Sequence, residues 1–399
     1  MSERYRFNRL ELAGSLGDLG TLLPIALAMI LVNGLDPVGL FLSVGLFYAL
    51  SGVYYGVTVP VQPMKVIGAY AIGASLSTQE VLASSLLLAV CLAVVGATGA
   101  ITLIARYTPK PVIRGVQLST GALLMAGGVR FMLGSSAFQE LKGAAEPYLA
   151  LQSLGPVPIG IVIGAAGGLA TLLLLDSKRF PSALTVILGG LLLGLGLGTH
   201  AGMAAIDPGL HLPELMPAGF PDKADFTFAL LALVLPQLPM SLGNAVLAYT
   251  DLSRDYFGES SHRVTNKAAC LSMALANAAS FLLGGMPLCH GAGGLAAHYR
   301  FGARTAGSNL MIGAILILLP LLLGEGLLPV LTLLPMAVLG VLLVFAGAQL
   351  ALTILDLQKR KDLFVAVLIL GITLASNLAA GFLAGIAAAY LLKWERVSV

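Results

Sequence analysis

Apolar runs long enough to cross a bilayer recur along the whole chain, separated by short polar breaks. A stretch of about twenty such residues spans the hydrocarbon core as an α-helix. The strand alternation of an outer-membrane barrel is absent. Reading runs between breaks predicts about fourteen segments. They begin near Gly14, Val38, Pro60, Val81, Pro111, Val157, Pro181, Phe226, Lys267, Pro287, Gly307, Leu327, Leu363 and Ala379. The third and tenth are short and open on prolines. The expected fold class is therefore an all-α polytopic membrane protein. The first apolar segment is full length and follows a polar, basic start without a clear cleavage site, so no removable signal peptide is expected.

The placement of lysine and arginine tests this layout. With the N-terminus inside, eighteen of the 22 basic residues fall in inner stretches, among them Arg4, Arg6, Arg9, Arg106, Lys178, Arg179 and Arg396. The outer loops keep Lys142, Lys223 and, at a helix end, Arg130. That asymmetry is a positive-inside pattern and puts both termini in the cytoplasm. One basic residue is left over. Lys65 sits inside the third segment, directly after Pro60, Gln62 and Pro63.

Composition agrees: 58% of the 399 residues are hydrophobic and 10% charged, where a soluble domain is about a quarter charged. Mean hydropathy is +0.94, and the 48 glycines suit close helix packing in lipid. A net charge of +3 carries no nucleic-acid signal here. Cys91, Cys270 and Cys289 lie in apolar segments without metal-like spacing, so neither a metal, a cofactor nor a disulfide framework is expected.

A weak repeat runs through the chain. The quartet SLGD at 15–18 returns as SLGN at 241–244, an offset of 226; Pro60 and Pro287 lie 227 apart; Gly115 and Val116 match Gly340 and Val341 at 225. The offset spans seven segments, an odd number, so the halves would insert in opposite orientations. Such inverted repeats are common in secondary transporters, where interrupted helices at matching positions point to the substrate site. The expected division is 1–200 as the first repeat, 201–225 as an outer loop and 226–399 as the second repeat. Half-helices are expected at segments three and ten. Each would start near mid-membrane with free N–H groups and the positive end of its dipole facing the other, a geometry suited to an anion.

Lys65 is the strongest candidate for that site, because charges within the membrane are costly and usually functional; snorkelling to an interface is the plain alternative. Gln62 offers an amide donor beside it, or a helix cap. Asp18 and Asn244 occupy equivalent repeat positions, and Asp18 is a candidate for a coupling proton, a partner of Lys65 or a ligand of local backbone. Gln237, Ser241 and Asn244 are spaced to share one helix face, looking into a cavity or bonding a neighbouring helix. His290 opens the second half-helix and either donates to an oxyanion or caps and packs. Cys289 adjoins it, without the third group a catalytic pair needs. Gly291, Gly293 and Gly294 permit close backbone approach.

The stretches SLGDLGTLLP, NGLDP, VPVQPMK, PQLPMSLGNAVLA and MPLCHGAGGLAAHYRFGAR together resemble the molybdate transporter family, a branch related to the sulfate permeases. The resemblance implies a seven-plus-seven fold with core and gate domains that carries tetrahedral oxyanions between the third and tenth helices. Carried onto this chain, it implies a substrate site of Gln62, Lys65, Cys289, His290 and Gly291, with Gln237 and Asn244 from the eighth-helix motif. The larger sulfate permeases usually add a cytosolic regulatory domain; none is expected after Trp394.

The reading is a secondary active transporter of molybdate, with sulfate or tungstate as alternatives of the same charge and shape. Related nucleobase carriers typically use carboxylates on the eighth and tenth helices, where this chain has Gln237, Asn244 and His290 and no acid before Asp251. An anion channel is the third class. A membrane enzyme ranks last, for want of a nucleophile–base set or metal cluster. The expected setting is the cell membrane, with lipid around the helices and a second copy, as a homodimer, a candidate partner.

Overall fold

The computed structural model describes residues 4–394 except 18, 102–106, 108, 176, 178–181 and 201. Asp18, Arg106, Lys178, Arg179, Pro181 and Arg396 therefore lie outside the described residues. The chain is mostly helical, and the helix ends follow local chemistry. Helix α1 (Arg9–Leu16) and α2 (Leu19–Asn33) form one candidate span bent by 45°. Helix α3 (Pro37–Tyr55) starts where Asp36 accepts the Gly39 N–H at 2.5 Å, with Pro37 at a first-turn position that needs no N–H. An extended segment carrying strand β1 (Gln62–Pro63) then leads into α4 (Lys65–Ala74). Helix α5 (Thr78–Thr98) opens on a reciprocal Ser77–Glu80 capping box. Helix α6 (Lys110–Leu133) is followed by a small hairpin, β2 (Ser153–Leu154) with β3 (Val157–Pro158), and by α7 (Ile159–Leu174) and α8 (Ser182–Leu197).

The second half begins with α9 (Lys223–Ser261), a continuous rod containing π-helical turns at Ala229–Val234 and Ser241–Ala248. Helix α10 (Asn266–Leu282), strand β4 (Leu288–Cys289), α11 (Ala292–Phe301) and α12 (Ala306–Leu323) follow. Thr265 and Thr305 cap α10 and α12 with their hydroxyls. The chain ends with α13 (Met336–Ala351), α14 (Arg360–Ala375) and α15 (Leu378–Leu391). The twelfth expected segment, placed from Leu327, instead divides into a short helix at Leu327–Leu331 and α13. Pro335 is responsible: it disfavours helical backbone at Leu334 and has no N–H to donate.

Among the described residues six helices are long and apolar enough to cross a membrane, or seven with the bent α1–α2 pair. Four further apolar helices, α4, α7, α8 and α15, are shorter. Exposed leucines such as Leu172, Leu192, Leu318 and Leu374 face outward from the bundle. Such a surface suits lipid, and the protein is a multi-pass membrane protein.

Packing falls into two sets. In one, α3 lies along α12 and α5 along α10; in the other, α6 lies along α13, with α14 and α15 against α6. The α6–α13 crossing is built on glycine. A Cβ on Gly128 would overlap the Gly340 carbonyl oxygen, and the reverse holds too; Gly121 and Gly347 face each other in the same way. Small residues let the two backbones touch, which in lipid is a main source of helix association.

Candidate functional site

The two interrupted segments meet. Strand β1 pairs antiparallel with β4, Gln62 opposite Cys289 and Pro63 opposite Leu288, and the Met64 N–H donates to the Pro287 carbonyl at 2.9 Å. Prolines forbid a longer ladder, so the pairing is two residues long before each chain turns into a ten-residue helix, α4 or α11. Gly291 leaves room at this junction for the Gln62 side chain, which a Cβ there would displace.

Asparagines from neighbouring helices hold both extended segments. Asn309 on α12 accepts from Val59 N–H at 2.8 Å and donates to the Val59 carbonyl at 2.8 Å and the Tyr48 carbonyl at 3.2 Å. Asn277 on α10 accepts from Leu288 N–H at 3.0 Å and donates to the Leu288 carbonyl at 2.8 Å. Both are fully buried. An amide carries an acceptor and two donors on one planar group, so a single side chain replaces the missing strand neighbour. The sequence reading missed both; the available signal was a lone amide in an apolar helix.

The two helix starts differ. At α4, Gln237 Oε1 accepts from Val66 N–H at 3.0 Å and Ile67 N–H at 3.3 Å, while its Nε2 donates to Ser241 at 2.8 Å. Gln237 is thus a cap on the first short helix. At α11, the N-cap is Gly291, and among the described residues no side chain caps the helix. The electropositive tip left open by side chains is α11, not both as expected.

Two adjoining cavities, of about 240 and 250 Å³, lie beside these helix starts and share Thr21, Lys65, Gly293, Ala346 and Gln349. The first continues to Asn244, Gln117 and Thr353; the second to Gln62, Ser177 and Arg300. Lys65 is half-buried on the shared wall. Among the described residues its ammonium has no hydrogen-bond or ion-pair partner. A side chain added at Gly293 would meet nothing within 4 Å, so that wall is backbone facing open space.

The candidates therefore separate. Gln62, Lys65 and Asn244 line the cavities, and Gly291 abuts Gln62. Gln237 and Ser241 share a face as their spacing predicts and are buried against α4, whereas Asn244 reaches the cavity. The wide π-helical turn at Ser241–Ala248 changes the angular step per residue and moves Asn244 off that face. Cys289 is buried in the strand pair, its Sγ 3.8 Å from the Pro63 carbonyl.

His290 points into the protein. Its ring lies 4.7 Å from Phe47 and 5.0 Å from Tyr249. Nδ1 is 3.0 Å from the Pro60 carbonyl, which can only accept, so Nδ1 carries the proton; Nε2 then accepts from Ser272, at 2.9 Å. With both nitrogens engaged, this histidine ties the β1 approach to α10. Gln117 and Gln349, which line the cavities, had no motif to single them out, and Thr21 lies in the SLGDLGTLLP stretch without having been picked from it.

A family profile described as "Molybdate transporter of MFS superfamily" matches residues 10–124 and 229–350. Molybdate transporter 1 of Arabidopsis thaliana is 31% identical, covering 98% of this chain and 90% of that protein. Molybdate transporter 2 of the same plant is 32% identical, over 96% of this chain and 87% of its own length. Molybdate transporter 1 of Chlamydomonas reinhardtii is 31% identical, over 94% and 90%. Among solved structures, SLC26A9 superposes with a TM-score of 0.66 at 14% identity, covering 96% of this chain, which spans 65% of that one. The transmembrane domain of the cyanobacterial bicarbonate transporter BicA gives 0.62 at 17% identity, covering 96% and 97%. The fold is the one these two share.

Proposed function

The chain belongs to the molybdate transporter family, and from that premise we propose that it carries molybdate across a membrane as a secondary active transporter, by alternating access. The observation that carries this reading is Lys65, a half-buried ammonium without a protein partner among the described residues, on the wall shared by two cavities. A tetrahedral dianion there would accept charge-assisted bonds from Lys65 and further bonds from the Gln62 amide and the uncapped start of α11. Asn244 completes the wall. Gln237, Cys289, His290 and Gly291 serve the same site by fixing the backbone that presents it. Asp18 is the candidate for a coupling group.

We read the fold as fourteen segments in a seven-plus-seven inverted repeat, 1–200 and 226–399, with 201–225 as the outer loop. Helices α4 and α11 support it: each has ten residues, and they begin 227 positions apart, at Lys65 and Ala292. The same shift carries α3 onto α10 and α5 onto α12, so the α3–α12 and α5–α10 packings exchange. Gly121 and Gly347, 226 apart, meet face to face, as residues near a pseudo-twofold axis should. In this reading both termini are cytoplasmic, the membrane is the cell membrane, and two copies form a homodimer. One cavity reaches Ser177 and Arg300, beside basic inner connections, which fits an inward-open state.

The test is uptake of labelled molybdate by vesicles reconstituted with the purified chain, with sulfate and tungstate as competitors. The expected result is accumulation against a gradient, and near-complete loss in Lys65→Ala with expression retained. Normal uptake by Lys65→Ala would overturn the site; downhill equilibration alone by the wild type would overturn active transport.

A further inference from the structure

A line of polar contacts runs from the N-terminal end of α6 to the cavity. Asp356, just beyond α13, pairs with Lys110 at 2.9 Å and takes Arg114 bidentately, at 2.9 Å from Nε and 2.5 Å from Nη2. The remaining arm of Arg114, Nη1, donates to Gln117 Oε1 at 2.8 Å, and Thr353 reaches the same oxygen at 3.0 Å. Gln117 is 5% exposed and lines the cavity that holds Lys65.

A guanidinium has donors only, so the amide atom facing Arg114 must be the oxygen. The Gln117 NH2 group then lies on the far side of the amide from Arg114. Without the arginine the amide could turn over at little cost and offer either an acceptor or a donor. With it, only the donor is available.

We propose that Gln117, oriented by the Arg114–Asp356 pair, is a specificity-determining residue that donates to the transported anion, so that its part of the wall offers a donor and no acceptor. This rests on the oxyanion reading of the Lys65 cavity. The consequence is selection by protonation state. A fully deprotonated tetrahedral dianion offers acceptors all round and matches Lys65, Gln117 and the start of α11. A protonated oxyanion such as hydrogenphosphate brings an O–H that needs an acceptor. A site built for one hydrogen-bond polarity rejects a ligand of the other because a buried polar group is left unpaired. Arg114 and Asp356 are positioning residues in this scheme; Gln117 is the group that touches substrate.

The experiment uses the full chain in vesicles, with labelled molybdate as the reporter and sulfate and inorganic phosphate as competitors near neutral pH. Gln117→Leu, close in size, should raise KM for molybdate about tenfold (1.4 kcal/mol) with the maximal rate much less affected. Arg114→Met should narrow the preference for sulfate over phosphate, while Arg114→Lys, which still presents only donors, should keep it. Gel filtration establishes folding of each variant, and Asp356→Asn gives a second route to loosening Arg114 if Arg114→Met does not fold. An unchanged KM in Gln117→Leu, or an unchanged competitor ratio in the loosened variant, overturns the inference while leaving wild-type molybdate uptake intact. Failure of the wild type to transport molybdate would overturn the underlying reading instead.

Discussion

Asn309 offers the sharpest test of how the site is built. Its amide is the lateral partner of the Val59 N–H and carbonyl on the approach to β1, at 2.8 Å for each, in a fully buried position. Asn309→Leu removes both partners and leaves two main-chain groups in a dry interior. Each unsatisfied group costs about 1–3 kcal/mol, so the pair costs about 2–6 kcal/mol, reduced somewhat by the apolar replacement. Asn309→Asp should be intermediate: it still accepts from Val59 N–H but, when ionised, turns a carboxylate oxygen toward the Val59 and Tyr48 carbonyls. The assay is thermal unfolding of detergent-purified protein, followed by vesicle uptake on whatever fraction remains folded. The expected order of stability is wild type, then Asp, then Leu, with uptake falling in step because Gln62 and Lys65 follow directly on this segment. Wild-type stability and uptake in Asn309→Leu would refute the claim that these bonds hold the site in place.

Two further outcomes follow from packing and charge. Gly128→Val drives a side chain into the Gly340 carbonyl at the α6–α13 crossing; overpacking costs about 1–3 kcal/mol or more, so folded yield should fall sharply, whereas Gly168→Ala, with open space around it, should be silent. Glu146 is fully buried in the loop after α6 and accepts from Met336 N–H at 2.9 Å and Ala337 N–H at 2.7 Å, at the start of α13. Burial pushes its carboxyl from 4.5 up to about 7. The folded state thus holds a proton that the unfolded state releases, and stability should fall as pH rises from about 4.5 to about 7. Glu146→Gln should flatten that slope, and an identical slope in the variant would clear Glu146 of responsibility.

What was legible in the sequence is what local chemistry dictates. Pro60, Pro63 and Pro287 break two apolar runs because proline cannot continue a helix, and short helices do begin after them, at Lys65 and Ala292. The exceptional character of Lys65 was visible as one charge in an apolar stretch, and its place on a cavity wall is consistent with that. What remained hidden depends on contacts between distant residues. Gln237 caps α4 from 171 positions away, closing a helix tip the sequence left open. Asn244 and Gln237 part company because a π-helical turn intervenes, and no propensity rule announces one. His290 faces Phe47, Tyr55 and Tyr249, and only the assembled helices decide which way a ring at a helix entry turns. The twelfth segment, expected from Leu327, was misplaced for a related reason: Leu327–Leu331 is apolar but ends before Pro335, and α13 starts only at Met336.

The most direct test of the account is crystallographic. Tungstate has the shape and charge of molybdate and a strong anomalous signal, so crystals grown with it locate the anion independently of any activity. An anomalous peak is expected in the cavity between the starts of α4 and α11, within hydrogen-bonding reach of Lys65 and lost in Lys65→Ala. A peak elsewhere in the bundle, or one that persists unchanged in that variant, would contradict it.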